Sequence, residues 1–413
     1  MSLQCKPCVA DPRIRCWPYP YRAAVSLSND VDFCSFEFFE AFMRYSNTTQ
    51  VTPFGEGLGL EVTSSFFGFS PPGRQFSYFD GLSPDAPPSS AAPRVAEYIR
   101  AGWIDANHAY GDFDGVGGFA RAHAERLHEE IDRLGGDIRV FINHGDENNR
   151  QCIGPGTDHH KGDVTGAPEY HADLMRPGCP WYVTTSGHSI GHVDEMPPPT
   201  GFVPARWPRF LLSGKAVFRD GEGRLLLPYR LQDGRTVSAF MRLRGTGFNA
   251  PNLGALSYQV DLVDLEKLCR DEACAVLYQH WGVLHRAGRR CVPATVDEVS
   301  GRPEIMSGLR RLACESRAGR LWVAGLQRLL DYVLMIENTT VKRKKGAGEF
   351  EVVSAVPVER PTDFFQGLTI YIDPAVESSV RYEGKLLPIL YNGPDHTGRY
   401  SISVRRTPKE NIW

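Results

Sequence analysis

The sequence has no long hydrophobic run and almost no net charge. No apolar segment reaches the ~18 residues that a membrane-spanning helix needs, so we expect no membrane span. The formal net charge of −3 gives no electrostatic reason to expect nucleic acid or an anionic membrane as a partner. The amino-terminal segment also lacks the hydrophobic core of a secretory signal. We therefore expect a cytoplasmic location.

Cysteine is present, but its spacing is not that of a disulfide framework. The ten cysteines are scattered along the chain, which favours reduced thiols in the absence of a signal peptide. Cys5 and Cys8 form a single C-x-x-C pair with Cys16 nearby. A structural zinc site takes about four such ligands, and no second pair lies at a suitable spacing. Metal or redox chemistry at this amino-terminal group remains an open alternative.

Strand-like and helix-like segments alternate over residues 1–340. The apolar run Ala23–Leu27 predicts a buried strand, and the aromatic residues of 36–43 share one face of the helix expected to follow it. Such alternation predicts an α/β protein with a parallel sheet. At this length a closed or nearly closed barrel is expected, whose reacting groups would lie at the carboxyl ends of the strands. From residue 341 to 413, short alternating segments and turns predict a small antiparallel β domain.

Polar residues that can bind a metal or transfer a proton follow several of these apolar runs. Asp30 and Asp32 follow the first predicted strand, and alternate residues of an extended chain point to the same side. Two such carboxylates repel each other unless a cation lies between them. The other members of the group are His108, Asp112, His144 and His280. An imidazole and two carboxylates with open positions are typical of a catalytic rather than a structural metal site.

Four stretches of the sequence resemble motifs of the polysaccharide deacetylases, carbohydrate esterase family four. AAVSLSNDVDF resembles the first motif in its D-x-D form, and VTSSFFGF resembles the ATFFV motif of the second strand. NHAYGD matches NHTYSH except that Asp112 replaces the final histidine, and AVLYQH resembles the motif of the last strand. The four stretches follow in the family's order between about residues 20 and 285.

The resemblance implies a distorted (β/α)7-type barrel that binds one divalent metal ion, with zinc first and iron, manganese, cobalt or nickel as alternatives. The implied activity is hydrolysis of the N-acetyl group of an acetamido sugar. Asp30 would be the general base, and Asp32, His108 and Asp112 the metal ligands. His280 would protonate the leaving amine.

Departures from the family leave one role open. His144 stands where the family has an arginine-proline motif, and we place it in the catalytic site without a defined role. The C-terminal β domain would cover the barrel, recognise the substrate or mediate homo-oligomerisation. Other hypotheses are a hydrolase of another amide or formamide, and a non-catalytic carbohydrate-binding relative. The presence of both Asp30 and His280 argues against a relative that only binds.

Each candidate residue also has a purely structural interpretation. Asp30 and Asp32 could cap the following helix, and Asp112 could belong to an ordinary turn. His108 and His280 could be buried histidines of the core. A rival metal pair is His188 and His192, which form an H-x-x-x-H pattern. On a helix both would face one metal ion, but Gly187 and Gly191 disfavour a helix there.

Overall fold

The computed structural model describes residues 4–145, 147–154, 158–176, 179–184, 224–244, 250–287, 290–344 and 348–413. Within these ranges the helices are α1 (Phe36–Asn47), α2 (Ala92–Arg100), α3 (Arg121–Arg133), α4 (Leu256–Val263), α5 (Leu265–Arg270), α6 (Val296–Ser300), α7 (Ser307–Arg317), α8 (Leu326–Glu337) and α9 (Pro361–Phe364).

The strands fall into an amino-terminal and a carboxy-terminal set. The first set is β1 (Ala23–Asn29), β2 (Val51–Thr52), β3 (Gly55–Glu56), β4 (Ser64–Ser70), β5 (Ser77–Asp80), β6 (Ile104–His108), β7 (Val140–Ile142), β8 (Tyr182–Val183), β9 (Leu226–Arg230), β10 (Thr236–Phe240), β11 (Cys274–Gln279), β12 (Val283–Ala287), β13 (Arg290–Pro293) and β14 (Leu321–Val323). The second set is β15 (Thr339–Arg343), β16 (Gly348–Ser354), β17 (Thr369–Tyr371), β18 (Ser378–Tyr382), β19 (Lys385–Leu386), β20 (Ile389–Asn392) and β21 (Ser401–Val404).

Two mainly parallel sheets carry the strands that the site uses. A seven-stranded sheet has the order β5-β4-β6-β7-β8-β10-β9, and a three-stranded sheet has the order β11-β1-β14. Strands β1, β11 and β14 run parallel, as do β4, β6, β7 and β8. Strand β9 pairs antiparallel with β10. The protein is thus a mixed α/β protein with several sheets, and the distorted barrel remains a prediction.

Asn29 links the two sheets at the carboxyl end of β1. Its side-chain amide donates to Ser64 Oγ at 2.9 Å, and its carbonyl accepts from Ser65 Oγ at 2.6 Å. Its side-chain oxygen also accepts from the Trp281 backbone N–H at 2.9 Å. The carboxyl end of β1 therefore lies beside β4 and beside the segment that follows β11. A single parallel bridge between Leu243 and Leu277 makes a second link, from the segment after β10 to β11.

The local structure after β1 rules out one interpretation of the two aspartates. Ser35 is the N-cap of α1, and its hydroxyl accepts a hydrogen bond from the Phe38 backbone N–H at 3.2 Å. Such a cap satisfies one of the free N–H groups at the start of a helix. The side chains of Asp30 and Asp32 are therefore not needed as caps.

The carboxy-terminal strands form two smaller sheets, β15-β16-β18-β19 and β17-β21-β20. Most neighbours are antiparallel as predicted, but β16 and β18 run parallel. A parallel pair needs a crossover connection, and α9 with β17 lies in the connection between them. Residues of these sheets share a buried apolar cluster with β1 and β11, including Ala24, Val276, Phe350 and Ile370.

The cysteines and the lengths of the helices bear on two further sequence predictions. None of the ten cysteines forms a disulfide in the structure. Cys5, Cys8 and Cys16 do not belong to any group of described residues that could hold a metal ion. In the part of the chain that the structure describes, every helix is too short or too polar to cross a membrane.

Candidate metal centre

Three buried side chains converge where β1, β6 and β7 end. Asp32 follows β1, His108 is the last residue of β6, and His144 follows β7. Asp32 Oδ2 lies 3.6 Å from His108 Nδ1, and Asp32 Oδ1 lies 3.5 Å from His144 Nδ1. One ligand atom from each of the three residues lies within 4.8 Å of the others. A single cation could contact all three.

Several atoms of this group have no hydrogen-bond partner among the described residues. They are Asp32 Oδ2 and both ring nitrogens of His108. Leaving a buried polar atom unpaired costs about 1–3 kcal/mol, so such atoms call for a ligand. One carboxylate and two imidazoles are a donor set that suits zinc, iron or manganese. The residues present therefore fit a divalent metal ion, although its identity does not follow from them.

The environment of His108 keeps its imidazole in the form that binds a metal. The ring is fully buried, and this burial lowers its pKa to about 4 although Asp30 and Asp32 oppose the shift. Metal binding requires a neutral imidazole, and His108 is neutral at physiological pH. Phe67 of β4 stacks on its ring with centroids 4.7 Å apart, which fixes the orientation of the imidazole.

His144 has a different electrostatic environment, with carboxylates on both sides. Its Nδ1 faces Asp32, and its Nε2 lies 3.3 Å from Asp112 Oδ1 and 3.7 Å from Asp114 Oδ1. Burial alone would lower the pKa of His144, but these carboxylates raise it to about 9. A cation beside Asp32 would compete with that proton. If Nε2–H donates a hydrogen bond to Asp112, Nδ1 is left as the ligand atom. Metal-bound histidines commonly donate their other ring N–H to a carboxylate in this way.

Asp112 lies behind His144 and already has other partners. Its Oδ2 accepts from Gln75 Nε2 at 2.7 Å and pairs with Arg74 Nε at 3.0 Å. Burial would raise the pKa of Asp112, but His144, Gln75 and Arg74 lower it to about 2. The structure groups Asp112 with His144 and Asp114, and does not group it with Asp32 and His108. The sequence-based choice of Asp112 as third ligand remains a prediction, and the geometry favours His144.

Asp30 carries a negative charge that an arginine neutralises. Arg242 Nη1 donates to Asp30 Oδ1 at 2.8 Å and to Ser28 Oγ at 3.3 Å. Its guanidinium also lies 3.7 Å from the ring centroid of Tyr278. Burial would raise the pKa of Asp30, but Arg242 and then His108 and His280 lower it to about 2. Asp30 is thus an ionised, buried carboxylate within 3.5 Å of His108 Nε2.

Arg242 is a residue of the candidate site that sequence reasoning missed. It follows β10 and lies 212 positions from its partner in the chain. The available signal was an arginine just after a predicted strand, in the position where the other candidate residues of the group were sought. The motif comparison instead directed attention to the fourth predicted strand, where His144 stands.

His280 completes the group from the end of β11. Its Nε2 lies 3.4 Å from Asp32 Oδ2, and its Nδ1 lies 2.8 Å from the Pro251 carbonyl oxygen. Because a carbonyl can only accept, the Nδ1 atom carries the proton of this hydrogen bond. The Nε2 atom therefore faces Asp30 and Asp32, with which His280 forms a second metal-competent group.

Five of the six residues predicted from the sequence meet around Asp32, and Asp112 lies one residue further out, in contact with His144. The rival pair His188 and His192 lies outside the described residues. Comparisons with protein-family models, with curated proteins and with solved structures gave no match.

Proposed function

We propose that the protein is a metal-dependent hydrolase that removes the N-acetyl group from an acetamido sugar, either a small or nucleotide-linked sugar or a glycan precursor. The observation that carries the proposal is the meeting of Asp32, His108 and His144 with an ionised carboxylate, Asp30, and an oriented imidazole, His280. The motif resemblance supplies the substrate class. The proximity of these five residues supports assigning a ligand set, a base and an acid to one place.

The ligands in this proposal are Asp32, His108 and His144, with Asp112 orienting His144 through Nε2. A divalent ion bound there supplies Lewis-acid polarisation of the amide carbonyl and a lower pKa for water. Zinc is the first choice for one carboxylate and two imidazoles, and iron, manganese, cobalt and nickel are alternatives.

Asp30 and His280 have complementary parts in the hydrolysis. Asp30 accepts a proton as the water oxygen bonds to the acetyl carbon, and Arg242 keeps this carboxylate ionised and oriented. The carbon–nitrogen bond then breaks while His280, as an imidazolium whose Nδ1–H stays bonded to the Pro251 carbonyl, donates its Nε2 proton to the departing amine. The products are acetate and an amino sugar. Proton transfer by positioned side chains typically contributes ~10²–10⁴-fold to the rate.

The test combines metal analysis with an assay of acetate release. Wild-type protein would be loaded with zinc, analysed for bound metal, and incubated with N-acetylglucosamine, its nucleotide-linked form and acetylated oligosaccharides. We expect about one ion per chain and acetate release that Asp30→Asn reduces at least 100-fold. Asp85→Asn, an exposed carboxylate outside the site, is the matched control and should retain full activity.

Other outcomes separate the proposal from its rivals. Formate or another carboxylic acid in place of acetate would identify a different amide hydrolase on the same residues. Bound metal with no product from any substrate would favour a carbohydrate-binding relative. Failure of the wild type to bind zinc, iron, manganese, cobalt or nickel would refute the whole scheme.

A further inference from the structure

A cavity lies at the end of the parallel strands opposite the candidate metal centre. Its volume is ≈ 640 Å³, within the range of small-molecule sites, and its walls include Tyr21, Trp103 and Trp322. Tyr21 precedes β1 and Trp103 precedes β6, whereas Asp32 and His108 lie at the other ends of these strands. The seven residues of β1 span about 23 Å. This cavity is therefore separate from the candidate metal centre.

The cavity is formed where the carboxy-terminal strands pack against the segments that precede β1 and β6. Leu390 of β20, Ser403 of β21 and the segment 406–409 supply one wall. Trp413 also lines the cavity, with its ring 6.3 Å from that of Trp103. Trp103 Nε1 also donates to the Glu410 carbonyl at 2.8 Å. Both parts of the fold are thus required to build the site.

The walls carry more positive than negative side chains. Arg328, Arg406 and Lys409 face one acidic side chain, Glu61. Glu61 is already used, because Arg328 Nη1 lies 2.7 Å from its Oε2 and the Gly325 N–H donates to its Oε1 at 3.2 Å. Glu61 and the buried Asp105 favour the charged form of Lys409, so Arg406 is the cation of the lining to which the described residues offer no carboxylate.

Arg406 lies beside two aromatic rings. Its guanidinium carbon lies 5.5 Å from the ring centroid of Tyr21 and 5.6 Å from that of Trp322. Among the described residues no carboxylate forms an ion pair with it. The two rings attract the guanidinium, and its N–H donors can bind an external acceptor.

Two further groups of the wall can also donate hydrogen bonds to a ligand. The buried indole Nε1 of Trp413 has no acceptor among the described residues. Lys409 donates to the Gly102 carbonyl and lies 5.6 Å from the Trp103 ring centroid. Burial lowers the pKa of Lys409, and a bound anion would favour its charged form. The wall therefore offers donors and aromatic surface beside its neutral polar side chains.

We propose that this cavity binds a phosphate monoester attached to a ring, as in a sugar phosphate or a nucleotide, with the phosphate on Arg406 and the ring against the tryptophans. Arginine suits this role because its planar donors match phosphate oxygens in pairs. Aromatic walls stack sugar or base rings with little regard to their substituents. The site is independent of the proposed hydrolysis, since no residue is shared.

Calorimetric titration of metal-free protein tests the proposal. The probes are glucose 1-phosphate, adenosine monophosphate, inorganic phosphate and methyl glucoside. We expect at least one ester to bind more tightly than inorganic phosphate, with an affinity that falls as salt is added, and methyl glucoside not to bind. Arg406→Gln should weaken the ester about 10- to 100-fold. Arg405→Gln, an exposed neighbour outside the cavity, should change it less than about twofold.

A second variant guards against a general effect of removing the arginine. Leu390→Trp keeps every charge and fills space from a residue that is 46% exposed, so it should also block binding. Asp30→Asn should bind the ester as the wild type does, which separates this site from the proposed hydrolysis. If the wild type binds neither ester, or if Arg406→Gln binds as tightly as the wild type, the proposal is refuted.

Discussion

Replacing Arg242 with methionine should destabilise the protein and inactivate Asp30, the proposed base. Asp30 and Arg242 have side-chain exposures of 4% and 9%, and their atoms are 2.8 Å apart. Removing one partner of a buried ion pair leaves the other charge uncompensated, at a cost of about 3–5 kcal/mol. We therefore expect the free energy of unfolding to fall by about that amount, measured by equilibrium denaturation in urea.

The same change should also reduce catalysis. Without Arg242, burial favours the protonated form of Asp30, and a protonated carboxyl cannot accept a proton from water. Acetate release should fall about 100-fold or more. Arg230→Met, an exposed arginine at the end of β9, is the matched control and should cost less than about 0.5 kcal/mol.

A double variant decides whether the charge of Asp30 causes the loss. Asp30→Asn in the Arg242→Met background removes the stranded charge, so it should recover most of the lost stability although activity stays low. Equal losses in Arg242→Met and Arg230→Met would show that the pair is not buried. A double variant no more stable than Arg242→Met would show that another group carries the penalty.

Three further predictions concern separate parts of the structure. His144→Ala should lose the bound ion, whereas Asp112→Asn should keep it with about 10- to 100-fold weaker affinity, as metal analysis after dialysis would show. Burial raises the pKa of Asp105 from 3.8 to about 6. As the pH rises, this carboxyl therefore ionises in the unfolded protein before it does so in the folded protein, and stability should fall from about pH 4 to pH 6. Asp105→Asn should remove that fall and stabilise the protein at pH 7 by up to about 3 kcal/mol in urea denaturation. Trp413→Ala should lower the free energy of unfolding by about 2 kcal/mol, because the ring packs on Tyr98 at 5.2 Å.

Each of these predictions has an outcome that contradicts it. Retention of the ion by His144→Ala together with its loss from Asp112→Asn would restore Asp112 as the third ligand. A stability profile between pH 4 and pH 6 that Asp105→Asn leaves unchanged would show that this carboxyl ionises normally. A Trp413→Ala protein as stable as the wild type would mean that the ring contributes no packing energy.

The local sequence predicts those residues of the candidate site that lie at the carboxyl ends of strands. Asp32, His108 and His280 each follow an apolar run, and parallel strands bring their carboxyl ends to one edge. That reasoning needs only the direction of each strand. It does not give the rotation of a side chain or the path of the loop behind it, which is why His144 and Asp112 could not be told apart as ligands.

Long-range pairing was the part that the sequence could not reveal. Arg242 reaches Asp30 from a segment of the chain that no local pattern connects to β1. The parallel pair β16 and β18 was missed for the same reason, because short alternating strands look alike whichever way they run. The helix cap at Ser35 is a local signal that was available, and it would have freed the two aspartates from that interpretation at once.

The three hydrogen bonds of Asn29 have a consequence for how this protein can evolve. Asn29 precedes Asp30, and its side-chain oxygen accepts a hydrogen bond from the backbone N–H of Trp281, which follows His280. The spacing between the proposed base and the proposed acid is therefore set by this amide and by the parallel pairing of β1 with β11, and not by the loops around them. Insertions in the segments after β4 or β7 can reshape the mouth of the site and alter which molecule enters, while the two proton-transfer groups keep their separation. Diversification of specificity and preservation of chemistry fall on different parts of the chain.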